Sequence, residues 1–157
     1  MKLTVRYAAQ NELHRVNELR ETVSELHANG RSDIFRHGFC DELQQYVYEA
    51  FNADDTDIIV ALTDDTVCGF AVVRYVNKAE SPYMCARHFY HIEELGVDAD
   101  YRRQGVATSL INFCRKEAKR MKFDRMELDV WEFNEGALKF YEAVGFKTYR
   151  RYMETSL

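Results

Sequence analysis

Proline, glycine and cysteine are all scarce in this sequence. With one proline and seven glycines among 157 residues, the chain has almost no material for a flexible linker, and we expect a single domain over residues 1–157. The cysteines include no Cys-x-x-Cys pair, which argues against a zinc knuckle and against a disulfide framework. We therefore predict four reduced, buried thiols, at Cys40, Cys68, Cys85 and Cys114.

Long hydrophobic runs are also missing. The longest apolar run, from Ile58 to Leu62, is far shorter than the roughly 18 residues that a membrane-spanning helix needs. The first residues lead directly into charged side chains, without the apolar segment of a secretory signal. We expect a cytoplasmic protein with no membrane partner.

Positive charge is scarce in the first two thirds of the chain. Residues 1–100 carry 9 Lys or Arg against 18 Asp or Glu, residues 101–157 carry 12 against 8, and the net charge is −5. An acidic chain is a poor partner for nucleic acid, and none is expected. The basic C-terminal part suits an anionic cofactor, whereas the acidic part would attract a cationic substrate.

Hydrophobic residues make up 46% of the sequence and recur with helix and strand periods. The pattern predicts strands over residues 3–7, 58–63, 66–76, 89–97, 126–130 and 146–152, with two helices after the first strand and one after each of the fourth and fifth. Asp64 and Asp65 separate two β-branched runs, which indicates a hairpin and antiparallel pairing. The chain is therefore predicted to be a mixed α/β protein.

The segment from Val97 to Thr108 joins a predicted strand to the start of a predicted helix. Backbone N–H groups at a helix N-terminus have no intrahelical partner and carry partial positive charge. Gly105 and Ala107 would let a phosphate approach that backbone closely. The segment contains no GxxxxGK[ST] motif and too few glycines for a dinucleotide site, so ATP and NAD are disfavoured as ligands.

A second motif runs over residues 134–146, where Asn134 and Tyr141 fall two turns apart on nearly the same face of a helix. With the first motif, over about residues 89–152, the sequence resembles the GCN5-related N-acetyltransferases (GNAT superfamily). In that superfamily a strand ending in Val, an R/Q-x-x-G-x-G/A loop and an N-x-x-A-x-x-F/Y-Y-x-x-x-G-F helix bind acetyl-coenzyme A. The resemblance implies an α/β fold whose mixed, mostly antiparallel central sheet has helices on both faces.

The resemblance also implies how the cofactor is bound. Leu95 and Val97 would pair their backbone with the pantetheine arm, and Asn134 would contact the same arm. Ala107 stands where a second glycine is commoner, a departure that the family pattern permits. The loop cradling the diphosphate would be Arg102, Arg103, Gln104, Gly105, Val106, Ala107 and Thr108.

The implied reaction moves an acetyl group from acetyl-CoA directly to a primary amine of a small molecule or peptide. An alkylamine of pKa near 10.4 is only about one part in a thousand neutral at pH 7, so a carboxylate base is expected. Glu93 would share the strand face of Leu95 and Val97, and its position matches the proposed base of polyamine-acetylating relatives. Glu94, if the strand contains a bulge, and His91, as a base or part of a water relay, remain alternatives.

Tyr141 has a predicted role as the acid. A phenol of ordinary pKa about 10 can return a proton to the departing thiolate. The five histidines form no HxxxH pair and no Cys/His quartet, so no metal is expected. Trp131 is predicted to be a packing residue.

A non-catalytic acyl-CoA sensor or interaction module on the same fold remains the alternative to an enzyme. The identity of the acceptor amine is left open by the motifs, because fold-level analogy does not choose among amines. Dimers are common among such folds, so a homodimer is compatible with the resemblance, although no sequence feature requires one.

Overall fold

A computed structural model describes residues 2–157. The order of strands and helices agrees with the predicted order as far as the last helix, and two short 3₁₀ turns, at Gln10–Glu12 and Ala99–Tyr101, are added to it. The main elements are β1 (Leu3–Tyr7), α1 (Leu13–Gly30), α2 (Asp41–Asn52), β2 (Thr56–Thr63), β3 (Thr66–Lys78), β4 (Arg87–Val97), α3 (Val106–Arg120), β5 (Met126–Leu128) and α4 (Glu135–Ala143).

The five strands form one sheet in the order β1-β2-β3-β4-β5. The first three pairings are antiparallel, and β5 runs parallel to β4. Asp64 and Asp65 both have positive φ, at 47° and 65°, as the tight turn of a β2–β3 hairpin requires. The predicted mixed, mostly antiparallel sheet is confirmed.

Helices cover both faces of this sheet, as predicted. Ile59 and Ala61 of β2 belong to the core beneath α3, whereas Val60 and Leu62 belong to the core beneath α1 and α2. Burial on both faces explains why β2 is almost continuously apolar. None of the helices within residues 2–157 is both long enough and apolar enough to cross a membrane.

The pairing of β5 with β4 is short. Only Tyr90, His91 and Ile92 of β4 have partners on β5. Beyond Ile92, β4 continues to Val97 with β3 as its one partner. The backbone edge of residues 93–97 that faces away from β3 is consequently open, and the sheet splits there.

The predicted last strand, residues 146–152, is wrong. This segment forms no ladder with the sheet, and Tyr149 and Tyr152 are exposed. Alternating side chains make a strand only when a neighbouring edge supplies hydrogen bonds, and here the segment is held by side chains instead. The Tyr149 hydroxyl donates to Glu127 over 2.5 Å, and two residues beyond the segment Glu154 pairs with Arg31 at 2.9 Å.

The prediction of four buried cysteines is wrong for two of them. Cys68 and Cys114 are buried in the core, but Cys40 and Cys85 are exposed. Both exposed thiols lie in connecting segments, before α2 and before β4. Segments of this kind run over the surface, where a small apolar side chain finds no core to enter.

We predict that Gly30→Ala destabilises the protein. An added Cβ at Gly30 would lie 2.2 Å from the ring of Phe133, and overpacking of this kind costs about 1–3 kcal/mol. At Gly136, inside α4, the same methyl group meets no atom within 4 Å, so Gly136→Ala should stabilise by about 0.5–1 kcal/mol. Urea unfolding measures both variants. A Gly30→Ala variant as stable as the wild type would contradict the packing described.

Candidate functional site

The loop after β4 presents a helix start that no side chain caps. The 3₁₀ turn Ala99–Tyr101 is closed by Asp98, whose carboxylate accepts from the Asp100 N–H over 3.0 Å. The chain then turns at Arg103 and Gly105, with φ of 59° and 81°. Gly105 is the N-cap of α3, and a left-handed conformation at this point suits glycine.

Six consecutive amides in this loop are unpaired. Within residues 2–157, the backbone N–H groups of residues 103–108 donate to no acceptor, and the next one along the helix, that of Ser109, bonds to the Gly105 carbonyl over 2.9 Å. Val106 is buried in the core and fixes the start of the helix. With the exposed side chains of Arg102 and Arg103 beside it, this helix start suits an anion.

A cavity of about 240 Å³ adjoins this loop. Val97 and Tyr101 line it on one side, and Phe140 of α4 lines it on the other. The two sequence motifs therefore meet in space. Asn134 is the N-cap of α4, and its side-chain oxygen accepts from the Ala137 N–H over 3.2 Å. Its side-chain NH₂ donates to no residue of the described chain.

The open edge of β4 leads from this cavity toward Tyr141. Leu95 and Val97 pair with Ala71 and Gly69 of β3. Their side chains belong to the same apolar cluster as that of Tyr141. The three predicted site residues therefore lie on the same face of the sheet.

Tyr141 is largely buried. Its ring lies 5.3 Å from that of Phe140 and 5.7 Å from that of Phe146. Burial raises the pKa of Tyr141 to about 12, so the phenol stays protonated throughout the neutral range. The pKa of a solvated tyrosine, about 10, would be close to that of a thiol, about 8.5. The pKa of the buried Tyr141 is further from it.

A bulge in β4 overturns the simple alternation predicted for the two glutamates. Val73 of β3 pairs with Ile92, and Val72 pairs with Glu94, which leaves Glu93 as an extra residue. Both carboxylates consequently reach the face of the sheet that α1 and α2 cover. Glu93 bonds to Tyr46 of α2, so it does not share the face of Leu95 and Val97.

Glu93 is held by two donors. The Nε of Arg74 donates to its carboxylate over 2.5 Å, and the Tyr46 hydroxyl also donates to it. The hydrogen bond to Glu93 raises the pKa of Arg74 above its ordinary value. Burial, followed by the bond to Glu93, raises the pKa of Tyr46 to about 12. The tyrosine therefore remains a donor, and a proton would reach Glu93 most directly through a bound water.

Glu94 forms an ion pair with Arg20 of α1. Arg20 of α1, only 5% exposed, donates to its carboxylate over 2.7 and 3.1 Å. The same guanidinium donates to the Asn17 side chain and to the Leu43 carbonyl. The pair therefore ties α1 and the start of α2 to β4.

His91 lies opposite Arg74 across the β3–β4 ladder. Its ring is half-buried and forms no hydrogen bond within the described chain. Facing residues of a ladder share a side of the sheet, so His91 stands on the same side as the Arg74–Glu93 pair.

Local sequence patterns did not predict three side chains of this site: Arg20, Tyr46 and Arg74. Their bonds to the glutamates span 74, 47 and 19 residues. No local spacing signals such contacts, because the strand register and the helix packing create them. Trp131 packs against Phe35 and Phe133 at 5.0 and 6.1 Å between ring centroids, in keeping with its predicted role.

His, Cys, Asp and Glu side chains could also provide metal ligands or a nucleophile. No group of three or more His, Cys, Asp or Glu within residues 2–157 is arranged to hold a metal ion. Cys114 is buried, and burial raises the pKa of its thiol to about 12. A neutral buried thiol is a weak nucleophile.

Comparisons of the sequence with known proteins find one family. The model of the acetyltransferase (GNAT) family matches residues 20–146. An uncharacterized N-acetyltransferase of Methanocaldococcus jannaschii is 39% identical over 61 residues, which cover 39% of this chain and 27% of that protein. The L-ornithine N5-acetyltransferase NATA1 of Arabidopsis thaliana is 30% identical over 91 residues, which cover 58% of this chain and 38% of that protein. The matches thus span less than two fifths of the length of each relative.

Solved structures share the fold over nearly the whole chain. A mutant of the BH1408 protein from Bacillus halodurans superposes with a TM-score of 0.93 and 26% identity, over 98% of this chain and 99% of its own. The aminoglycoside N-acetyltransferase AAC(6′)-Iy, solved with CoA, superposes with a TM-score of 0.79 and 19% identity, over 99% of this chain and 95% of that one. At that identity the second likeness shows a common fold.

We predict that Arg20→Met lowers the free energy of unfolding by about 3 kcal/mol, because it leaves Glu94 without its cation. Arg6 supplies the control, since its pair with Glu12 at 2.7 Å is exposed and Arg6→Met should cost less than about 1 kcal/mol. Chemical denaturation compares the two variants, and adding Glu94→Gln to Arg20→Met should recover part of the loss. Equal effects of the two arginine variants would contradict a structural role for the Arg20–Glu94 pair.

Proposed function

The chain belongs to the acetyltransferase (GNAT) family, and we propose that it transfers an acetyl group from acetyl-CoA to a primary amine of a small molecule or peptide. The observation that carries this proposal is the closeness along the chain of two sets of unpaired backbone groups. The free amides of residues 103–108 come after five intervening residues from the open β4 edge of residues 93–97, beyond the hydrogen-bonded 3₁₀ turn Ala99–Tyr101. An extended molecule with a diphosphate at one end fits both.

The residues present suit acetyl-CoA. The loop amides with Arg102 and Arg103 would hold the diphosphate, and the backbone of Leu95 and Val97 would pair with the pantetheine amides, as a further strand does. The free side-chain NH₂ of Asn134 would donate to the same arm. When bound, acetyl-CoA supplies the thioester that the amine attacks.

Glu93 is the proposed base. Generating a neutral alkylamine at pH 7 costs about 4–5 kcal/mol, and Glu93 would take the proton through a water. Its side chain lies at the bulge where the β4 edge opens. Glu94 is disfavoured because its cation, Arg20, is only 5% exposed and also bonds to the Leu43 carbonyl, whereas the Arg74 side chain beside Glu93 is 35% exposed. His91 remains the alternative base or relay on the same side of the sheet.

Tyr141 is the proposed donor to the departing sulfur. With its pKa raised to about 12 by burial, full proton transfer to a thiolate of ordinary pKa about 8.5 runs uphill by about 5 kcal/mol. We therefore assign Tyr141 a hydrogen bond to the sulfur that strengthens as negative charge develops there. A free strand N–H between Leu95 and Val97 would polarise the carbonyl in the same way.

The acceptor is proposed to be a cationic primary amine. The net charge of −9 over residues 1–100 favours approach of a cation, and the matched relative named above acts on ornithine. We further propose that residues 1–157 form a single domain and that the protein acts in the cytoplasm.

Two measurements test this function. Calorimetry should detect acetyl-CoA binding, and thiol release should follow when a panel of primary amines is added. The exposed Cys40 and Cys85 react with thiol reagents and must be blanked. Binding of CoA without turnover on any acceptor would favour a non-catalytic acyl-CoA sensor instead, whereas no heat and no thermal shift with acetyl-CoA would refute both readings.

We predict that Tyr141→Phe lowers kcat by about a hundred- to a thousandfold, the range expected for loss of one hydrogen-bond donor to the negative charge that develops in the transition state. The Kd for acetyl-CoA should stay nearly unchanged, because the ring and its packing remain. Tyr152→Phe, at a tyrosine that is 84% exposed, is the matched control. A wild-type kcat for Tyr141→Phe would exclude the role given to the hydroxyl.

We predict that Glu93→Gln depresses the rate most below neutral pH, where the neutral amine is rarest and a base matters most. The loss there should reach about a hundredfold, and the pH–rate curve should shift. Glu80→Gln, an exposed residue in the β3–β4 connection, should leave the curve in place. An unchanged curve for Glu93→Gln would remove Glu93 from the role of base.

A further inference from the structure

A second cavity, of about 390 Å³, lies away from the cofactor loop, residues 102–108, so named for its proposed role. It is formed by the C-terminal half of α3, the start of β5 and the residues that follow α4. Four cations line it, Arg115, Lys119, Arg125 and Lys147, together with a single carboxylate, that of Asp124. The lining therefore carries an excess of positive charge.

That charge is not compensated within the described chain. Each of seven arginines elsewhere has a carboxylate partner at 2.9 Å or less: Arg6, Arg15, Arg20, Arg31, Arg74, Arg87 and Arg120. At the cavity, only Arg125 has a carboxylate within 4 Å, at 3.9 Å, and this is Glu127, which Arg87 already binds.

Six arginines have no carboxylate within 4 Å in the part of the chain that the structure describes. Arg102 and Arg103 are among them at the cofactor loop, where an anion is proposed to bind, and Arg115 is among them at this cavity, where its guanidinium donates to the Val144 carbonyl and to the Asn112 side chain. The remaining ones, residues 36, 150 and 151, are exposed and line neither cavity. The cavity thus shares with the cofactor loop a concentration of free positive charge.

The cavity is separate from the cofactor site. Arg115 and Lys119 follow Val106 by nine and thirteen residues, which places them roughly 14 and 20 Å further along α3. No residue lines both cavities. A single bound CoA whose diphosphate lies at the loop does not account for this charge.

An apolar surface accompanies the cations. Phe123, only 8% exposed, and Phe146 both line the cavity. The volume falls in the range of about 300–1,000 Å³ that small-molecule sites occupy. We propose that this cavity binds a phosphorylated small molecule with a planar ring, of the nucleoside monophosphate class, and that its binding is coupled to Tyr141.

The coupling has two physical links. Phe146 lines the cavity, and its ring packs edge-on against that of Tyr141 at 5.7 Å, while its N–H bonds to the Tyr141 carbonyl over 2.9 Å. Arg115 donates to the Val144 carbonyl at the end of α4 over 2.7 Å. A phosphate at Arg115 competes for that guanidinium and so acts on the helix that carries Tyr141.

Calorimetry on the CoA-saturated protein tests the proposal with three probes: uridine monophosphate, inorganic phosphate and uridine. Uridine monophosphate lacks the adenine of CoA, and saturation with CoA keeps the loop occupied. Uridine monophosphate should bind at least tenfold more tightly than inorganic phosphate or uridine. Lys119→Ala with Arg125→Ala should weaken it at least tenfold, whereas Lys2→Ala with Lys116→Ala, which removes equal charge from exposed positions outside the cavity, should not.

Three results would overturn the site: no heat at millimolar uridine monophosphate, loss of its binding when CoA is present, or equal weakening in both double variants. For the coupling, uridine monophosphate should change the Kd of acetyl-CoA at least twofold in the wild type and leave it unchanged in Lys119→Ala/Arg125→Ala. An unchanged Kd in the wild type would refute the coupling. Acetyl transfer is measured without the probe, so failure of the proposed function is recognised separately.

Discussion

The early end of the β4–β5 pairing is the constraint on which the site depends. β5 meets β4 over three residues, after which β4 runs on to Val97 with one edge open. Exposed strand edges present backbone donors and acceptors in a row, and the unpaired amides of residues 103–108 follow one short 3₁₀ turn later. An extended ligand can therefore be bound largely by backbone groups.

The bulge at Glu93 determines which side chains β4 presents to α1 and α2. One extra residue turns two successive carboxylates toward α1 and α2, where each meets its own arginine. The buried Arg20–Glu94 pair holds α1 against the open part of β4. The Arg74–Glu93 pair lies at the bulge itself and keeps a carboxylate beside the open edge. The same backbone irregularity therefore serves both the packing of the helices and the placement of the proposed base.

Charge is distributed unevenly over this acidic molecule. Seven of the fourteen arginines have a carboxylate partner at 2.9 Å or less. Cations without such a partner include Arg102 and Arg103 at the cofactor loop and Arg115, Lys119 and Lys147 at the cavity beside the C-terminal half of α3. Phe146 stands between that cavity and Tyr141. Packed aromatic rings transmit displacement because protein interiors are dense, and the proposed second site acts on the proposed donor through this contact.

Local patterns in the sequence determined the order of elements, the Asp64-Asp65 hairpin, the Asn134 cap and the glycine turn at the start of α3, because each depends on the chemistry of a few neighbouring residues. Through the family resemblance that they carry, these patterns also predicted residues 102–108 and Tyr141 as parts of the site. Tertiary structure alone decided that residues 146–152 form no strand, that Glu93 and Glu94 face the same side, and that Arg20, Tyr46 and Arg74 hold them. These outcomes depend on strand register and on contacts between distant segments, which periodicity within one segment does not encode.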